Sequence, residues 1–175
     1  MAIVAKNDIP PQVSDGQHPA VCCDVHDLGM VPTTYMGEDT GLKHKIKVWF
    51  QVGETGDDGK RKIVGQRFTL SMHENANLRK FLENWRGKKY TDAQAAQGVD
   101  VEKMLGHPAL IQTTTNDRGY ADITSIMKLP DGMAQLEVAD FVRFKDREQT
   151  NETHAGPGFD EMPEGLQDDD DSLPF

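Results

Sequence analysis

The stretch KHKIKVWFQV places Lys43, Lys45, Lys47 and Trp49 at every second position. In an extended chain such residues share one face. Three ammonium groups about 7 Å apart, from two residues at roughly 3.3 Å each, match the repeat of a single-stranded phosphate backbone. The indole adds a flat surface on which a base can stack, worth roughly 1–3 kcal/mol per base. Arg67, in RKIVGQRFTLSM, would extend the stripe from a neighbouring strand. The same lysines would also suit a solvated amphipathic strand. The outward tryptophan favours a ligand face, because exposed large aromatics usually have a reason.

A second basic cluster lies in WRGKKY, where Arg86, Lys88 and Lys89 precede Tyr90. These cations suit either phosphate or the C-terminal end of a helix dipole. Trp85 falls on the apolar stripe of that helix and is expected in the core. Enzyme readings find no foothold. His26, His44, His73, His107 and His154 show no metal spacing, and GETGDDGK lacks the Gly-x-x-x-x-Gly-Lys-Ser/Thr order of a phosphate loop. No catalytic residue, metal site or cofactor is expected.

The elements that must hold these residues follow from periodicity. HPAVCCDVHDLG reads as a first strand with Val21, Cys23 and Val25 inward, ended by Gly29. Residues 30–42, with Pro32, Gly37 and Gly41, read as a long loop. KHKIKVWFQV is the second strand, with Ile46, Val48 and Phe50 toward the core. RKIVGQRFTLSM is the third, with Val64, Phe68 and Leu70 on one face. The period then changes to helical at Leu78, Phe81, Leu82 and Trp85, with Gly87 as the cap. Two short helices follow, with Thr91 and Asp100 as N-caps and Gly98 and Gly106 as stops. HPALIQTTT and GYADITSIMKL are two more strands around NDRG, and a last strand is expected at Leu136 to Phe144.

Three strands, a helical segment and two strands match the five-stranded Greek-key barrel of the OB-fold, in a mainly β chain. In that fold the loops after strands one and four flank the binding face. Here they hold Tyr35, and Arg118 with Tyr120.

The chain carries a net charge of −10, with mean hydropathy −0.62. Its distribution matters more than its mean. Residues 148–175 hold nine acidic residues and no Lys or Arg, whereas 43–89 holds twelve Lys/Arg against five Asp/Glu, a balance of +7. A basic middle and an acidic end suggest a polyanion-binding body with an acidic arm. Residues 1–17 read as a flexible N-terminal arm, 18–147 as the folded domain and 148–175 as a disordered tail, too poor in apolar side chains to offset ordering entropy. No apolar run approaches the roughly 20 residues of a membrane span, and the N-terminal residues lack the pattern of a secretory signal. Adjacent Cys22 and Cys23 are expected as free thiols in a reducing, cytoplasmic compartment. A homo-oligomer stays open.

The tail QDDDDSLPF resembles that of bacterial single-stranded DNA-binding proteins, which usually end on aspartates followed by Ile-Pro-Phe; here Leu173-Pro174-Phe175 follows Ser172. The body is similar to phage-encoded members of that family through HPAVCCDVHDLGMV, KHKIKVWFQV, LRKFLENWRGKKYT and YADITSI. The resemblance implies a non-enzymatic protein that coats single-stranded DNA in replication, recombination or repair, working in an infected bacterial cell if phage-encoded. It implies a tail hook of Asp168, Asp169, Asp170, Asp171, Leu173, Pro174 and Phe175 for a polymerase, helicase-primase or nuclease. The acidic tail could also fold back on its own basic face and compete with DNA. Two alternatives remain at this level: a single-stranded RNA-binding OB protein, because stacking and phosphate contacts do not read the 2′-hydroxyl, and a protein-interaction adaptor.

Overall fold

A computed structural model describes residue 9 and residues 11–151 of the chain. The hook residues Asp168 to Phe175 lie outside the described residues. The architecture is mainly β: β1 (Gly16–Tyr35), β2 (Glu38–Thr55) and β3 (Arg61–Thr69), then α1 (Asn77–Arg86), α2 (Asp92–Gln97) and a 3-10 turn (Val101–Met104), then β4 (Pro108–Thr115), β5 (Ala121–Met127) and α3 (Phe144–Asn151). The strands form one antiparallel sheet in the order β3-β2-β1-β4-β5. Its edge strands β3 and β5 approach each other, with no ladder between them among the described residues.

Helix α1 covers the inner face of the sheet. Its i, i+3, i+4, i+7 stripe of Leu78, Phe81, Leu82 and Trp85 is buried. The ring centre of Trp85 lies 5.2 Å from that of Phe50, and Phe81 lies 4.6 Å from Phe68. Trp85 Nε1 donates to the Pro108 carbonyl at 2.9 Å, which satisfies its one polar atom inside the core. Gly87 ends the helix at φ 70°, a left-handed cap that a side chain would strain. Thr91 opens α2 with a reciprocal capping box to Gln94, and Asp100 caps the 3-10 turn at Glu102 N.

Several sequence expectations need correction. Gly29 does not end β1, and 30–42 is no loop. β1 and β2 continue as a two-stranded ribbon to a turn at Met36 and Gly37, whose φ values of 50° and 80° suit a tight hairpin. Gly29 and Gly41, both at positive φ, lie within the ladder, and the register shifts between Asp27 and Gly29. A glycine inside a strand can accommodate a bulge instead of breaking the strand. A second shift, between Cys22 and Asp24, overturns the expected facing of Val21 and Cys23 and leaves Val25 inward as expected. Ala20, Cys22 and Val25 join the core cluster, whereas Val21 and Cys23 are buried outside it. Leu70 lies past the end of β3 and is exposed. No strand forms at Leu136 to Phe144; that stretch is irregular up to α3, which crosses the expected domain boundary at 147.

Residues 11–17, expected within a flexible arm, are tied down. Val13 is buried in the core, Gln12 Oε1 accepts from Ala121 N at 3.0 Å, and Ser14 donates to Glu54 through its hydroxyl at 2.8 Å and its backbone N–H at 3.1 Å. The Lys62 ammonium joins the same carboxylate, and these donors, led by Lys62, hold Glu54 down at about 2 from an ordinary 4.5. A folded pKa below the unfolded one means stability that is present above pH 4.5 and lost as pH falls toward 2. Glu54→Gln should therefore flatten part of the acid-side decline in the urea midpoint. An unaltered pH profile would show that this contact does not fasten the N-terminal segment.

Candidate nucleic-acid interface

The ladder sets the outer face of β2 and β3 directly. Lys45 pairs with Gly29 and Thr69, Lys47 with His26 and Arg67, and Trp49 with Asp24 and Gly65. Ile46, Val48 and Phe50 on the alternate parity are buried in the core. The stripe Lys43, Lys45, Lys47, Trp49 thus lies opposite α1, with Arg67 beside Lys47. The cations are not equivalent. Lys43 and Arg67 are exposed, Lys47 is half-buried and Lys45 is only 8% exposed. Burial first, then the charges of Lys43 and Arg67, pull the Lys45 ammonium below its usual range. A local excess of positive charge held partly away from water favours an anion.

Trp49 can lie flat because β3 carries Gly65 beneath it. A Cβ at Gly65 would come within 2.6 Å of the indole and 2.7 Å of Lys47 Cε. The Lys47 ammonium stands 4.0 Å from the ring centre, a cation–π contact. Trp49 is half-buried, because Phe144 stacks on it with centres 5.1 Å apart and planes at 27°. Trp49 Nε1 is buried with no hydrogen-bond partner among the described residues.

The other candidates occupy different places. Arg86, Lys88 and Lys89 are exposed at the end of α1, away from the Lys/Trp face. The Arg86 guanidinium lies 4.2 Å from the Tyr90 ring centre, and both border an open groove with Trp85, Met104, Lys103 and Lys128. Tyr35 is not in a loop but is the last residue of β1, 52% exposed at the ribbon tip. Arg118 and Tyr120 sit in the β4–β5 turn, where Asn116 Oδ1 accepts from both backbone N–H groups at 3.0 Å. The pairing of Gly16 with Thr113 puts that turn at the opposite end of β1 from Tyr35. The face, the helix end and the two tips are therefore separate surfaces.

Sequence reasoning missed the residues that cover the face. Phe144 is sandwiched between Trp49 and His26, the latter at 5.1 Å and 6°. Phe141 meets Phe144 edge-on, and the Arg147 guanidinium lies 4.5 Å from the Phe144 centre. The spacing of Phe141 and Phe144 with Arg143 and Arg147 is visible in the sequence as a basic and aromatic cluster, a signal that the expected strand at Leu136 to Phe144 leaves unused. Both cysteines are buried free thiols, and burial pushes both up, Cys23 to about 12 with help from Asp24, which keeps them protonated at neutral pH. Among the described residues no helix is long and apolar enough to cross a membrane.

No family model, curated protein or solved structure matches the chain.

Proposed function

We propose that this protein binds single-stranded DNA without sequence preference, through the outer face of β2 and β3. The observation that carries the reading is the convergence of Lys43, Lys45, Lys47 and Arg67 on one face, with an indole laid across Gly65 at its end. Cations follow the phosphates, and an aromatic surface stacks unpaired bases of any identity. The antiparallel order β3-β2-β1-β4-β5, with a helix between β3 and β4 and the edge strands close together, is compatible with a five-stranded OB barrel. The likeness of the body stretches and of the tail to single-stranded DNA-binding proteins supports the same reading. In it the protein is no enzyme and needs no cofactor. Asp168 to Phe175 recruits replication or repair proteins by placing an aromatic end in an apolar pocket rimmed by cations.

Titration with labelled single-stranded DNA, duplex DNA and single-stranded RNA tests the reading. Single-stranded DNA should bind tightest, and binding should weaken as salt rises. Equal affinity for duplex would sink the idea that the face selects unstacked bases. Equal or better affinity for RNA would make it an RNA-binding module. Deleting 168–175 should abolish partner capture and raise DNA affinity most at low salt, where a tethered acidic competitor acts most strongly. Unchanged low-salt DNA affinity on truncation, together with partner capture that survives removal of Phe175 alone, would leave the tail a solubility device.

A further inference from the structure

We propose that residues 136–147 form an intramolecular strap whose Phe144 occupies the base-stacking position on Trp49, so that strap and nucleic acid compete for one platform. The inference rests on the nucleic-acid reading of the face and adds to it a way of closing the site. Phe144 presents a flat ring to the indole in the manner of a base and carries His26 on its other side. The closed state leaves Trp49 Nε1 buried without an acceptor among the described residues. An unmade hydrogen bond of that kind is a cost of closure. Opening recovers it, because water or a phosphate oxygen can then accept.

The attachment of the strap suits reversible release. It joins no strand ladder, and Phe141, Arg143 and Phe144 are only half-buried. Polar contacts hold it, among them Arg143 to the Val25 carbonyl at 3.5 Å and to Glu102 Oε1 at 3.2 Å, and Lys145 to Glu102 at 3.8 Å. Gln51 exchanges two hydrogen bonds with the Ala139 backbone, at 2.6 and 2.9 Å, and Arg61 donates to the Glu137 carbonyl at 2.7 Å. The latch is Asp24, 1% exposed, which accepts from Arg143 Nε at 2.9 Å and from Phe144 N at 2.8 Å. The anchors Asp24 and Gln51 are buried in the sheet, at 1% and 2% exposed, whereas the strap side chains that meet them are half-buried. A segment that lies outside every ladder and is held by polar contacts and half-buried side chains can open without global unfolding.

If a fraction of molecules is closed, the observed affinity is the intrinsic affinity multiplied by the open fraction. The test measures binding of the full-length protein, Phe144→Ala, Trp49→Ala and the double variant to fluorescently labelled oligo-dT, with thermal melts to confirm folding. Phe144→Ala should tighten binding by about fivefold to tenfold, the factor set by the closed fraction. In the Trp49→Ala background the same change should have no effect, because the contested platform is gone. Arg143→Gln, which releases the latch and leaves both rings in place, should also tighten binding despite the loss of a cation, and it serves if Phe144→Ala folds poorly. Unchanged or weaker binding by both variants overturns the strap, as does equal tightening with and without Trp49. Failure of wild type and both strap variants to bind any single strand is a different result. It removes the nucleic-acid reading itself, and the strap with it.

Discussion

Replacing Trp85 with alanine should destabilise the fold by about 3–5 kcal/mol, the usual cost of deleting a buried large aromatic. Trp85 is 7% exposed, packs edge-on against Phe50 and contacts Phe81, and closes the end of α1 onto β4 through its bond to the Pro108 carbonyl. The substitution leaves a cavity between helix and sheet and an orphaned carbonyl. Urea unfolding should show the midpoint falling with little change in slope. Affinity for single-stranded DNA, measured cold where the variant stays folded, should be close to wild type, because the ring lies on the inner side of the sheet. Loss of binding with unchanged stability would mean that the groove beside Arg86 and Tyr90, and not the outer face of β2, is where a base stacks.

Removing Lys43, Lys47 and Arg67 together should weaken single-strand binding by more than any other surface change. Each phosphate contact contributes about 0.7 to the slope of log affinity against log salt on a single strand, so three lost contacts should make that slope shallower by about 2. The loss should be similar across sequences, since phosphate contacts position a strand and do not read it. Lys45 is left in place because it is buried, and its replacement would disturb the sheet. The matched control removes Arg86, Lys88 and Lys89, which lie at the end of α1. A larger change of slope in the control than in the β2/β3 variant would relocate the phosphate path to the helix end and overturn the proposed face.

The β2 stripe and α1 were legible because each is written in a local period. Side chains of a strand alternate by steric necessity, so Lys43 to Trp49 had to share a face once that segment was extended. Helical spacing likewise put Trp85 inward with Leu78 and Phe81, as the structure confirms. β1 was misread where local rules compete. Its glycines matched the signature of a loop, and only the pairing of Gly29 and Gly41 within the β1–β2 ladder makes them part of a ribbon. The bulge between Cys22 and Asp24 breaks the alternation, so Val25 after it faces the core as expected while Val21 and Cys23 do not.

By itself, therefore, the sequence determined the presence and order of the five strands, the helix between the third and fourth of them, the parity of the Lys/Trp face and the separation of charge along the chain. Each of these depends on residues close together, and short-range sterics and composition carry that information. The tertiary structure alone decided what lies on the face. Asp24 meets Arg143 across 119 positions and Gln51 meets Ala139 across 88, contacts that no periodicity encodes. The position of Phe144 on Trp49 follows from those long-range bonds, and from the absence of a Cβ at Gly65 that lets the indole lie flat. The pattern of β2 shows that a basic and aromatic face exists. The side chains that cover it are ones that only folding brings there.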